Sequence, residues 1–358
     1  MPGVYLSYPF CAQKCTYCNF ASGVFPRDLE PLYLDALARE IQTHEWQWTP
    51  ETVYLGGGTP SNLDPAALAR ILDLIPGAPW AEATLEAAPG NITPERARAW
   101  ADAGINRVSL GVQSFVEQEI RRTGRKHSAE IVGAEIGVLH DAGIGNINID
   151  LIAGLSAQTA ASWSESLDWI ECLAPPHVSV YMLEVDEDSR LGQQILLGGV
   201  RYGAADVPSE DETAAFYETA VERLRALGIP RYEISNFARP GFESRHNLKY
   251  WRLEPYIGFG VDAHSCDGHV RRQNPESVAD YLAGAALDPV AAGDDERLFI
   301  GLRLSEGVRP TPSDWQRFDA PIRRFMDAGL LESEDGMLRL TARGVMLSNE
   351  VFQEFLTE

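Results

Sequence analysis

The chain runs to 358 residues, 45% hydrophobic and 23% charged, with 31 Gly and 22 Pro, ordinary values for one large globular domain plus a smaller one. Its 52 acidic against 30 basic side chains give a formal net charge of −22, which argues against a nucleic-acid partner and allows at most peripheral contact with anionic membranes. Among five cysteines, Cys11, Cys15 and Cys18 crowd into one short stretch, a pattern that points to metal or redox chemistry in a reducing compartment and not to disulfides.

In chain order, short and mostly apolar runs at Val4–Tyr8, Thr52–Leu55, Ala83–Ala87, Arg107–Gly111, Asn146–Ile152 and His177–Leu183 read as strands buried on both faces. Helical patterns fall between and after them, at Asp28–His44, Pro65–Ile75, Thr93–Ala103, Ser128–Ala142, Ser162–Leu173 and Glu210–Leu227. In the first, Leu29, Tyr33, Leu34, Leu37 and Ile41 share a face. Thr93 reads as an N-cap followed by Pro94, and Gly104, Gly143 and Gly228 stand where helices end in a left-handed residue. Repeated βα units imply an α/β fold, a partial (β/α)6 TIM-like barrel with chemistry at the carboxyl ends of its strands.

Residues 1–230 are expected to form this barrel, and residues 231–283 to extend it. Arg231–Ile234 could add a strand, and a Pro/Ala/Asp-rich connector lies at about Ala283–Asp294. Residues 284–358 show helical signals at Asp295–Leu304, Pro312–Arg317 and Ala320–Ala328, then strands Leu330–Ser333 and Met337–Leu340 around an Asp335-Gly336 turn. That order predicts a C-terminal winged-helix-like α+β domain, acidic enough that a packing or lid role fits better than DNA binding. No signal segment opens the chain and its apolar runs are too short to span a bilayer, so a cytoplasmic location is expected.

The chemistry concentrates in Cys11-Ala12-Gln13-Lys14-Cys15-Thr16-Tyr17-Cys18, directly after the first strand. Three thiolates at this spacing can each take one iron of a [4Fe–4S] cubane and leave the fourth iron open. Zinc would want a fourth protein ligand, which Asn19 and Phe20 do not offer. Of the other two cysteines, Cys172 reads as a buried small residue near a helix end.

Cys-x3-Cys-x-aromatic-Cys after a first strand resembles the radical S-adenosylmethionine (SAM) superfamily, and the resemblance covers nearly the whole chain. It implies a cluster whose open iron chelates SAM, a reducing electron donor such as flavodoxin or ferredoxin, and capacity to cleave SAM reductively. By the same resemblance Tyr17 packs near the adenine, and Tyr5 lies over the cofactor. Gly56-Gly57-Gly58-Thr59-Pro60 meets the methionyl amine, and Glu86, Gln113, Arg125 and Asp150 occupy the remaining SAM-contacting positions. Read without the resemblance, the glycine run could be a tight loop and the polar residues ordinary caps or ion pairs.

Within the superfamily the pattern is closest to oxygen-independent coproporphyrinogen III oxidase and its paralogues, above all the HemW-type heme chaperones. The oxidase carries a further cysteine two residues after the third, where this chain has Phe20, and a longer segment before its first strand. His246-Asn247-Leu248-Lys249-Tyr250-Trp251 matches the His-Asn-x-x-Tyr-Trp motif of the chaperones, with His246 a candidate heme ligand and Tyr250 and Trp251 flat faces for a porphyrin. The alternative is a structural loop in which His246 and Asn247 satisfy backbone groups and the aromatics fill a seam. His264 and His269 lie close in sequence as further axial candidates. Departures from relatives occur at Ser7 and across Gly154–Thr159. The implied function is a chaperone that binds heme and a SAM-ligated cluster and delivers heme to an acceptor protein. The alternative is a radical SAM oxidative decarboxylase of coproporphyrinogen III, or a related tetrapyrrole enzyme.

Overall fold

The computed structural model describes residues 2–292 and 296–356. Six parallel strands, β1 (Gly3–Tyr8), β2 (Thr52–Gly57), β3 (Glu82–Ala87), β4 (Arg107–Gln113), β5 (Asn146–Ala153) and β6 (His177–Met182), pair in chain order. Between them run α1 (Leu29–Thr43), α2 (Pro65–Leu72), α3 (Pro94–Asp102), α4 (Glu117–Thr123), α5 (Ala129–Asp141) and α6 (Ala160–Leu173). After β6 come α7 (Arg190–Leu196), α8 (Glu210–Ala226) and β7 (Asn236–Ala238), which pairs antiparallel with β6. Thr93 caps α3 by accepting from the Arg96 N–H, and Gly104, Gly143 and Gly228 take positive φ where α3, α5 and α8 stop.

The chain then crosses to the other edge of the sheet. α9 (Arg245–Trp251) precedes β8 (Tyr256–Phe259), which pairs parallel with β1. β9 (His264–Cys266), β10 (Val270–Gln273), α10 (Val278–Leu282) and β11 (Val290–Ala291) continue that edge. The order β11-β10-β9-β8-β1-β2-β3-β4-β5-β6-β7 leaves the barrel laterally open between β7 and β11. Side chains alternate along each strand. Outward residues such as Val4, Leu6, Val53, Leu85, Val108 and Ile149 are buried under the helices. The inward face is polar: Thr52, Glu82, Thr84, Arg107, Asn148 and His177 line it, so the strands are apolar on one side only.

Two expectations change. Arg231–Ile234 makes only isolated bridges, Arg231 to Phe237 and Glu233 to Leu304. The Glu233 carboxylate accepts from the Ser235 N–H and from Asn236, which curls this stretch, and the paired strand begins at Asn236. The two helices expected around residue 319 are one, α12 (Pro312–Asp327), which follows α11 (Glu296–Gly301). It continues past Pro321 with a break in helical geometry at Phe318 (φ −115°), before the proline whose missing N–H interrupts the ladder. The expected start of α11 at Asp295 lies outside the described residues, as does the end of the connector. Next come β12 (Leu331–Glu334) and β13 (Met337–Leu340), antiparallel, with Asp335 and Gly336 both at positive φ as a two-residue hairpin requires. α13 (Ala342–Met346) and α14 (Ser348–Gln353) close the chain, and Phe355 packs edge-on to Phe318 of α12. Among the described residues no helix is long and apolar enough to cross a membrane.

Candidate functional site at the mouth of the barrel

The cysteine loop leaves β1 at its carboxyl end and is pinned from several sides. The Cys11 N–H donates to the Gly23 carbonyl (2.8 Å) and the Gly23 N–H to that of Pro9 (2.9 Å). The Thr16 N–H reaches the last residue of α4, Thr123 (3.2 Å), and the Thr16 carbonyl accepts from Leu191 of α7 (2.8 Å). Cys11, Cys15 and Cys18 are unpaired and partly exposed. Arg125 Nε donates to Cys15 Sγ (3.3 Å), Thr59 Oγ1 to Cys11 Sγ (3.7 Å), and Ser22 lies 3.9 Å from Cys18 Sγ. Burial pushes the Cys11 thiol up, against the Thr59 and Ser22 hydrogen bonds, and the neighbouring cysteines add to the rise. Among the described residues no three His, Cys, Asp or Glu groups are arranged to hold a single metal ion. A cubane makes a different demand, one iron per thiolate, and donors already aimed at the sulfurs suit thiolate ligands.

The glycine loop after β2 packs directly on this segment. The Gly58 N–H donates to the Tyr8 carbonyl (2.7 Å) and that of Thr59 to Phe10 (3.0 Å). A Cβ on Gly58 would stand 2.8 Å from Pro9 and Phe10 backbone atoms, so close approach demands glycine there. The Gly57 N–H donates to Glu86 Oε2 (3.2 Å), whose other oxygen accepts from the Tyr54 hydroxyl (3.0 Å). Burial first, then the Asp150 charge, push the Glu86 carboxyl up to about 7, against those hydrogen bonds. A cationic ligand here would favour the carboxylate. Asp150 accepts from Asn148 (2.7 Å) and Ser109 (3.2 Å). A bound ligand's hydroxyls would find this carboxylate already oriented.

Gln113 sits where β4 shifts register against β5 and adopts φ 72°. Its Oε1 is buried with no hydrogen-bond partner among the described residues. Strain and an orphaned polar atom together mark a position shaped for a ligand. Arg125 donates to the Gly111 carbonyl as well as to Cys15, and Tyr17 lies against both Arg125 and Cys15. Tyr5 stacks on Tyr54 with centroids 6.1 Å apart. The thiols, the glycine loop, Glu86, Gln113, Arg125 and Asp150 therefore gather at one end of the sheet, and this donor set fits a cluster with a zwitterionic, cationic cofactor.

His246 stands elsewhere. Its ring contacts Thr52, and Gly3 backs it, both first residues of their strands, whereas Cys11 follows the last residue of β1. The separation is the length of a strand, about 17 Å. Both ring nitrogens are engaged, Nδ1 with Thr52 Oγ1 and Nε2 with Tyr250 Oη (2.8 Å each), and burial lowers the imidazole to about 3. The Glu82 carboxylate accepts from the Arg245 N–H (2.9 Å), the His246 N–H (2.9 Å) and Ser244 Oγ (3.3 Å), seating the start of α9 in the barrel floor. Trp251 lies under the Arg303 guanidinium, 4.3 Å from ring centroid to Cζ. With both imidazole nitrogens engaged and Trp251 packed on Arg303, α9 plugs the barrel floor in this arrangement, the geometry of the structural alternative named above. The expectation for Cys172 is corrected: it is exposed, whereas Cys266 is buried. Phe20 projects from the cysteine loop, 67% exposed. Sequence reasoning gave no role to Asp262, whose positive φ no pattern of residue types reveals.

Residues 5–170 match the radical SAM superfamily, and residues 295–347 the HemN C-terminal domain. The chain is 32% identical to the heme chaperone HemW of Bacillus subtilis over the full length of both. It is 35% identical to that of Mycobacterium tuberculosis over 99% of this chain and 94% of the relative. The solved coproporphyrinogen III oxidase (HemN) of Escherichia coli superposes with a TM-score of 0.85, covering 99% of this chain and 90% of that one at 23% identity, a likeness of fold.

Proposed function

This chain belongs to the HemW family of radical SAM proteins, and from that premise we propose that it binds heme and a SAM-ligated [4Fe–4S] cluster and delivers heme to an acceptor protein. One observation carries this reading over its alternative: the position two residues after Cys18 holds exposed Phe20, where the oxidase pattern has a further cysteine. In this reading Cys11, Cys15 and Cys18 hold the cluster, with Arg125 and Thr59 donating to two of the sulfurs. When bound, the cluster supplies one electron to SAM. Glu86 and the Gly56–Gly58 backbone face the methionyl amine, Arg125 its carboxylate, and Gln113 and Asp150 the ribose, with Tyr5 and Tyr17 as aromatic walls. The polar barrel interior holds these groups in place through Asn148, which joins Ser109, Asp150 and His177.

For heme to bind at His246, the imidazole would have to exchange Thr52 or Tyr250 for iron, with α9 leaving the floor. Parallel assays on anaerobically reconstituted protein test the function. A Soret band on hemin addition, with no decarboxylated product from coproporphyrinogen III, supports the chaperone. Vinyl-group formation from that substrate would replace it with the oxidase, and absence of any hemin binding would remove it.

A further inference from the structure

Resting on the heme reading above, we propose that the pocket lined by Tyr5, Tyr250, Tyr256, Asp262 and His264 takes one face of a planar iron tetrapyrrole, with His264 as the axial ligand. The cavity, about 270 Å³, lies among β1, α9, β8 and the turn that leads into β9. Three tyrosines give it aromatic walls; the Tyr250 and Tyr256 rings meet edge-on at 4.6 Å. Such a volume falls just below the usual small-molecule range of roughly 300–1,000 Å³. It suits part of a macrocycle, leaving the opposite face to solvent and to an acceptor.

His264 differs from the histidines that the fold has absorbed. His177 and His246 have both nitrogens engaged, and His127 is buried against the Val112 carbonyl. The His264 side chain is 55% exposed at the pocket, and Nε2 lies 3.9 Å from Asp262 Oδ1, beyond hydrogen-bond reach. An exposed imidazole with no hydrogen-bond partner among the described residues, at the rim of an aromatic-walled cavity, is sterically open to the approach of iron.

The turn that presents it is strained and held. Asp262 takes φ 56°, unusual for a residue with a side chain, and its Oδ1 accepts from Gln273 (2.9 Å). Gly260, at φ 93°, donates through its N–H to Glu40 of α1 (2.9 Å), and Asn274 ties Glu40 and the Gly260 carbonyl together (2.8 Å each). A conformation costing about 1–3 kcal/mol persists where its surroundings fix it, and such sites cluster at ligand clamps. Tyr5 joins the pocket to the cofactor end, because its hydroxyl lies 3.1 Å from where a Cβ on Gly56 would stand.

The test is hemin titration of the anaerobically reconstituted full chain, followed by Soret absorbance and by electron paramagnetic resonance of the ferric ion. His264→Ala should weaken binding about tenfold or more and change the ferric signal, with added imidazole restoring it; exposed His269→Ala should titrate as the unsubstituted chain does. If His264→Ala binds as tightly and with the same signal, the pocket assignment falls while the chaperone reading stands. If the unsubstituted chain binds no hemin, both fall.

Discussion

The two ends of the barrel use the same kinds of polar residue to opposite effect. At the floor, Glu82 accepts from the first turn of α9 and the His246 ring is engaged by Thr52 and Tyr250, although the Trp251 indole N–H of the same helix has no hydrogen-bond partner among the described residues. At the mouth, Gln113 is strained and carries an orphaned oxygen, Glu86 is held near its ionisation balance, and three thiols lie unpaired. What sets the mouth apart is the combination in one place of a strained residue, an unpartnered acceptor and three unpaired thiols, where a ligand would complete the set.

The largest expected effect breaks the mouth. Cys15→Ala should abolish cluster incorporation, read as loss of iron, sulfide and the visible chromophore, while circular dichroism of the fold is retained. Glu82→Ala should do the reverse. It leaves three donors at the start of α9, two of them buried, without their acceptor and should cost about 3 kcal/mol or more in unfolding free energy, measured by denaturant titration. If Glu82→Ala left stability unchanged and removed cofactor binding instead, the division between the ends would be wrong.

Acid sharpens the same contrast. His246 is near its ordinary value unfolded and lowered to about 3 folded, so the unfolded chain binds the extra proton below pH ~6.5. Stability from this group is complete above that pH and is lost as pH falls toward 3, by up to about tenfold in the folding constant per unit. His246→Gln should flatten that slope, by pH-dependent thermal unfolding. At the mouth, Glu86 is raised to about 7 by burial and Asp150. SAM affinity should therefore fall as pH drops from 8 to 6, the carboxylate being protonated, and Glu86→Gln should bind weakly at every pH. Calorimetric titration reads this smallest effect, and an unchanged pH profile in Glu86→Gln would exclude the residue.

Much of the architecture was legible because it follows from local rules. Apolar runs marked the outward faces of β1–β6, Thr93 marked a helix start, and Asp335-Gly336 marked a hairpin. The cysteine spacing located the mouth for the same reason: the chemistry is written within eight residues. What was missed depends on distant partners. Asn236 displaced the expected strand because Glu233 captures backbone and side-chain donors, and α12 runs through Pro321 because its apolar face is packed under Phe355. Nothing in the order of residues pairs His246 with Thr52, 194 positions away, or joins Tyr5 to His264.

The most direct measurement is heme handover. Hemin-loaded, cluster-reconstituted protein is mixed anaerobically with the apo form of a heme protein, and the Soret bands of donor and acceptor are followed with time. We expect the donor band to fall as the acceptor band rises, with the porphyrin chemically unaltered by mass spectrometry. Heme that stays on the chain with every acceptor offered, beside decarboxylation of coproporphyrinogen III by the same preparation, would contradict it.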